Sequence, residues 1–80
     1  MVTVLFFAAA KDAAGMEQLR LEVSQSLSLV QLQQRVLQLV PALQPLQSLL
    51  LWAVNNQYAV PAQVIESGDI VACFPPVSGG

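Results

Sequence analysis

The chain breaks into short apolar runs separated by polar turns, with one longer amphipathic stretch near its middle. Val2-Thr3-Val4-Leu5-Phe6-Phe7 is rich in β-branched and aromatic residues and reads as a strand. Ala8 to Ala14 favours a short helix, and Gly15 suits the position just past its end. Leu19, Leu21 and Val23 alternate with Gln18, Arg20 and Glu22, a period of two that predicts a second strand with one wet face. The short connection makes these two strands an antiparallel pair.

Ser28 opens the clearest helix. Ser28 with Gln31 fits a capping box, and Leu27 with Leu32 fits a hydrophobic staple. Leu29, Leu32, Val36, Leu39, Val40 and Leu43 recur at helical spacing, while Gln33, Gln34, Arg35 and Gln38 fall mainly on the other side. Pro41 ends the helix near Val40, and Gln44, Pro45, Gln47 and Ser48 belong to the connection that follows.

Leu49 to Val54 is too short for another such helix and reads as a central strand. Asn55-Asn56-Gln57 makes a hairpin turn, because Asn tolerates positive φ. Tyr58 to Val60 starts a return strand that Pro61 stops. Val64 and Ile65 precede a second turn at Glu66-Ser67-Gly68-Asp69, and Ile70 to Phe74 forms the last strand. The expected architecture is α+β: two strands, one main helix, then two or three more strands. One sheet over one helix buries every apolar face.

Composition narrows what such a domain does. Of the 80 residues, 55% are hydrophobic and 10% charged, enough to fill one core and too apolar for a disordered chain. The longest apolar runs, Val4 to Ala10 and Leu49 to Val54, fall far short of the ~20 residues of a membrane span. No basic region opens the N-terminus as a signal peptide requires, and the single cysteine allows no internal disulfide. A cytoplasmic protein is expected. Lys11, Arg20 and Arg35 are its only cations, too few and too scattered to displace counterions from nucleic acid. So weakly charged a surface points to cover by a protein partner.

Independent catalysis is not expected. The chain has no histidine, hence no ready proton shuttle and no Cys/His zinc set. Glu66 and Asp69 flank a turn and read as its solvated ends. Gly68, Gly79 and Gly80 precede no helix and form no phosphate loop. Cys73 lies among apolar strand residues with no neighbouring base or cation, so a structural role is favoured over a reactive thiol.

The ending carries the most specific signal. Pro75-Pro76-Val77-Ser78-Gly79-Gly80 directly follows the last strand, without a linker. The prolines fix φ and lack a ladder donor. Gly79 and Gly80 lack Cβ atoms and fit a channel too narrow for other residues. On the residues alone, the tail reads either as a projecting carboxylate for another enzyme to handle or as an inert terminus.

Leu5-Phe6-Phe7-Ala8, Ala53-Val54-Asn55 and the stretch from Gly68 through Phe74-Pro75-Pro76-Val77-Ser78-Gly79-Gly80 resemble the small, MoaD-type subunits of molybdopterin synthase. The resemblance spans the chain, and the ending is its specific part. It implies a ubiquitin-like β-grasp with a mixed sheet of four to five strands. Residues 1–80 form one sulfur-carrier domain, with 75–80 as its tail.

In that family the terminal carboxylate, here that of Gly80, is adenylated by an ATP-using, E1-like partner and converted to a thiocarboxylate. The tail enters a large catalytic subunit, which passes the sulfur to a cyclic pyranopterin precursor of molybdopterin. The assembly implied is a heterotetramer, with a separate sulfur donor protein and no cofactor bound to the carrier. Gly80 then carries sulfur and Gly79 gives access. Phe7, Phe74, Pro75, Pro76, Val77 and Ser78 face the partner, although Phe7 and Phe74 read equally well as core.

Cys73 stands where the family often has a second aromatic residue, so a smaller apolar patch is expected. The segment from Ala8 to Gly15 is Ala-rich and poor in charge, which argues against ionic contacts there. Alternatives of the same chemistry are a carrier for thiamin thiazole or another product, and a modifier joined to protein amines. The alternative of a different kind is a non-catalytic β-grasp interaction domain.

Overall fold

Alternation along the first strand sorts its side chains into two sets. Val2, Val4 and Phe6 are buried, while Thr3 and Leu5 turn to the other face. The computed structural model describes residues 1–76. Its elements run β1 (Val2–Phe6), α1 (Ala8–Ala14), β2 (Gln18–Leu21), β3 (Leu27–Ser28) and α2 (Leu29–Leu39). A short 3-10 helix (Pro41–Leu46) follows, then β4 (Leu51–Val54), β5 (Gln57–Tyr58), β6 (Val64–Ile65) and β7 (Ile70–Phe74).

Five strands form the main sheet in the order β2-β1-β7-β4-β5. The central pair, β1 and β7, is parallel, with Val4 beside Val71 and Phe6 beside Cys73. The other pairs of this sheet are antiparallel. β3 and β6 make a separate two-stranded ribbon. This mixed five-stranded sheet over α2 is the β-grasp that the resemblance implies.

Ser28 caps α2 as expected. Its hydroxyl accepts from the Gln31 N–H at 3.2 Å, and the Gln31 side-chain oxygen accepts from the Ser28 N–H at 2.9 Å. Such a reciprocal cap stabilises a helix by about 1 kcal/mol. Leu29, Leu32, Val36, Val40 and Leu43 are buried against the sheet's inner face of Val2, Val4, Phe6, Trp52, Val54, Val71 and Cys73. Leu39 departs from the expected stripe. It lies at the stripe's margin on the last residue of α2 and is 58% exposed.

Several boundaries shift from expectation. β4 begins at Leu51, because the Leu49 and Leu50 N–H groups both donate to the Leu46 carbonyl and close a turn. The connection after Pro41 is a 3-10 helix that buries Leu43 completely. The ribbon strand β3 is two residues long, too short to show a period.

Both turns form as expected. Asn55 and Asn56 take φ of 50° and 69° in the β4–β5 hairpin. Asn55 also ties this hairpin to the start of β7. Its Oδ1 accepts from the Ile70 N–H at 3.0 Å, and its Nδ2 donates to Asp69 Oδ1 at 3.1 Å. Asp69 Oδ2 in turn accepts from the Glu66 N–H at 2.8 Å.

Two outcomes follow from this packing. Asn55→Ala removes two side-chain hydrogen bonds and puts a Cβ-bearing, non-Asn residue at positive φ. Chemical denaturation should show a loss of about 2–3 kcal/mol; a loss below experimental error would refute the clamp. Burial also pushes the Cys73 thiol from its ordinary 9.0 up to about 12. Above pH 9 the unfolded chain sheds a proton that the native state keeps, so this group's stability is whole below pH 9 and drains as pH rises towards 12. Wild type should lose about 1.4 kcal/mol per pH unit there relative to Cys73→Ala. Parallel pH profiles for the two proteins would contradict it.

Candidate functional site

The inner face of the sheet is spent on the core, so the outer face is the surface available for recognition. Strand alternation places Thr3 and Leu5 of β1 and Ile70, Ala72 and Phe74 of β7 on that outer face. Register adds their neighbours: Leu5 beside Ala72, Phe74 beside Leu51, Ala72 beside Ala53, and Ala53 beside Tyr58. Ile70, Tyr58 and Leu51 are exposed, and Phe74 is half-buried. The Tyr58 and Phe74 rings meet with centroids 6.1 Å apart and planes tilted by 55°, a spacing typical of favourable aromatic pairs.

Phe7 extends this surface at the end of β1. Its N–H donates to the Cys73 carbonyl at 3.1 Å, which continues the β1–β7 register and sets it beside Phe74. Ala8 then takes φ of 52°, a left-handed turn that starts α1. Phe7 is 49% exposed, so it is not the core residue it could equally have been. Phe74 is half-buried beside it, leaving part of its ring to solvent. Next to Phe7 a groove of about 400 Å³ is lined by Leu5, Ala8, Lys11, Glu17 and Gln18, with Lys11 Nζ 3.1 Å from Glu17 Oε1 at its rim.

Pro75 is half-buried and Pro76 exposed, directly beyond Phe74. Val77, Ser78, Gly79 and Gly80 lie outside the described residues. The structure therefore brings Phe7, Phe74, Pro75 and Pro76 to one edge of the outer face. It also corrects the expectation of a smaller patch. Cys73 points inward and is fully buried, so its identity takes nothing from the outer surface.

Leu5, Leu51, Tyr58, Ile70 and Ala72 escaped the sequence reading as surface residues. The signal was present: β7 is apolar at odd and even positions alike, and β1 departs from this only at Thr3.

The remaining described features lie away from that outer face. Among the described residues, no group of His, Cys, Asp and Glu is arranged to hold a metal ion. Both oxygens of Asp69 are engaged in the turn clamp, which agrees with reading Glu66 and Asp69 as a turn. A polar groove of about 530 Å³ lies between the β2–β3 loop and α2, where Arg35 Nη2 donates to the Glu22 carbonyl at 3.3 Å. No helix among the described residues is long and apolar enough to cross a membrane.

Known proteins share both the sequence and the fold. The molybdopterin synthase sulfur carrier subunit of Chlamydomonas reinhardtii is 30% identical over 81 residues, covering 99% of this chain and 98% of that protein. The crystal structure of SAMP1 from Haloferax volcanii superposes with a TM-score of 0.88 at 24% identity, covering 99% and 98% of the two chains. A complex of subunits 1 and 2 of molybdopterin-converting factor from Helicobacter pylori includes a chain with a TM-score of 0.72 at 24% identity, covering 99% and 97%. The sequence profile of the ThiS family matches residues 4–80, so the chain belongs to the ThiS family.

Proposed function

We propose that this chain is the sulfur carrier subunit of a molybdopterin synthase and that the Gly80 carboxylate bears the sulfur. One observation carries the reading: the central strand β7 passes without slack through Phe74, on the apolar outer face, into Pro75 and Pro76. A partner that takes the tail meets that face at the same time. The name of the algal relative favours molybdopterin over other sulfur-containing products.

A carboxylate is a poor electrophile, so activation comes first. An ATP-using, E1-like partner joins the Gly80 carboxylate to AMP and releases pyrophosphate. A sulfur donor protein supplies a sulfide equivalent that displaces AMP and leaves a thiocarboxylate. The tail then enters the large catalytic subunit, where the sulfur forms a C–S bond to a cyclic pyranopterin precursor, and water cleaves the acyl C–S bond and regenerates the carboxylate. Repetition builds the dithiolene.

This chain's own residues bind and present. Gly79 and Gly80 offer no Cβ to obstruct a narrow channel. Pro75 and Pro76 reduce the entropy lost on threading, and Val77 and Ser78 contact the channel wall. Phe7 and Phe74 dock the carrier. ATP and the pterin bind to the partners, so the carrier alone is not catalytic and holds no cofactor. Residues 1–80 serve as one carrier domain with 75–80 as its tail, acting in the cytoplasm. The Helicobacter pylori complex of two subunits supports a large-subunit partner.

Intact-protein mass spectrometry tests the chemistry, after incubation with an activating partner, ATP and a sulfur source. One oxygen should be replaced by sulfur, mapped to Gly80. An unchanged mass, with a partner proven on another carrier, would sink the reading. Deleting Gly79 and Gly80 should abolish sulfur loading and leave the thermal midpoint unchanged. A residue added beyond Gly80 should block loading as completely, and loading of the untrimmed extended chain would rule out the mechanism.

A further inference from the structure

The main sheet ends in two open edges, β5 and β2. β5 is two residues long, whereas β2 runs unbroken against β1 over four residues. The Phe6 N–H donates to the Glu17 carbonyl at 2.9 Å, which fixes the bonded pairs of this ladder as Phe6–Glu17, Val4–Leu19 and Val2–Leu21. The N–H and C=O groups of Gln18 and Arg20 therefore point away from β1, into the open edge. Glu22 continues the alternation. Its carbonyl accepts from Arg35 Nη2 at 3.3 Å, which leaves the second lone pair of that oxygen. Among the described residues, no backbone hydrogen bond from outside this ladder reaches Gln18, Arg20 or Glu22.

Such an edge is a template for another strand, and chains commonly blunt it with Lys, Pro or a bulge. β2 has none of these. Arg20 is its one charge, and Glu22 follows on the same face. Both are exposed, and neither belongs to an ion pair among the described residues. On the opposite face, Leu19 and Val23 are half-buried at the margin of the core, with Leu21 buried between them. A net charge of only −2 does little to keep two copies apart.

A second copy of β2 can pair antiparallel about a two-fold axis perpendicular to the sheet. That axis keeps the faces matched, so one residue must face its own copy. With Arg20 or Glu22 at the axis, like charges meet. With Gln18 or Leu19 there, Arg20 faces Met16 or Gln18 of the other copy and finds no acid. With Leu21 at the axis, Arg20 faces Glu22 of the other copy, twice. The same register sets Leu19 beside Val23 on the core side, also twice, and aligns the free backbone groups of Arg20 and Glu22 into four hydrogen bonds. One register thus satisfies the charges, the apolar margin and the ladder together.

We propose that β2 is a self-association edge, pairing with β2 of a second copy about an axis at Leu21 to join the two five-stranded sheets into one. Because the axis is perpendicular to the sheet, both outer faces lie on one side of the joined sheet. β7, which leads into the tail, lies two strand spacings from the join, about 10 Å. The inference goes beyond the sulfur-carrier reading and stands independently of it.

Sedimentation velocity over a dilution series of the full chain tests the join. Wild type should show a concentration-dependent dimer. Arg20→Glu sets acid against acid at both charged contacts, and Glu22→Arg sets base against base. Each single variant should raise the dissociation constant at least about tenfold, with circular dichroism checking that the fold is kept. An equimolar mixture of the two variants regains both opposite-charge contacts in the mixed dimer. It should associate to within about threefold of wild type.

Wild type that stays monomeric up to about 1 mM would overturn the proposal. Single variants that dimerise as wild type does would place any self-association elsewhere on the molecule and overturn it equally. A mixture that associates no better than its separate components would rule out the Leu21 register.

Discussion

The parallel pairing of β1 with β7 is the constraint on which the rest depends. It joins the first strand to the last and fixes their register, with Val4 beside Val71 and Phe6 beside Cys73. That register gives α2 a continuous inner face to pack on. It also puts Phe7 beside Phe74 on the outside, where the chain leaves the sheet. Parallel strands here are held by non-local closure, since no turn connects them. The Asn55–Asp69 clamp at the start of β7 helps hold that closure in place.

Both central strands are apolar on both sides save for Thr3, yet only one side is covered within the described residues. Ordinarily such strands lie between two layers. Here the second layer is missing among the described residues, and the outer face stands open from Leu5 across to Tyr58. The architecture thus separates two tasks. Stability resides on the α2 side, in a core whose described polar side-chain atoms are all satisfied or solvated. The apolar outer face lies on the other side, away from that core.

Much of this was legible because local chemistry and tertiary packing agree. The Ser28–Gln31 cap, the α1 stop at Gly15 and the Asn55–Asn56 turn each rest on residues with one strong local preference. The helical stripe was legible except at Leu39, where the end of α2 decides exposure and periodicity is silent. The 3-10 helix was hidden because Pro41 and Pro45 read as breaks, whereas the burial of Leu43 that rewards the turn is a tertiary matter. The site was legible at Phe74 and the prolines, through the ending. Leu5, Ile70, Ala72 and Tyr58 were not, because the pairing partners that make them neighbours lie on four different strands.

The lack of charge on the apolar residues of the outer face has a thermodynamic consequence. Leu5, Phe7, Leu51, Tyr58, Ile70 and Phe74 offer a partner no ionised group, so little of the association energy is screened by salt. Apolar area leaves water instead, and the signature of that process is a negative heat-capacity change. Such a contact strengthens with warming over the physiological range and weakens in the cold. Association through this face would therefore respond to temperature far more than to ionic strength.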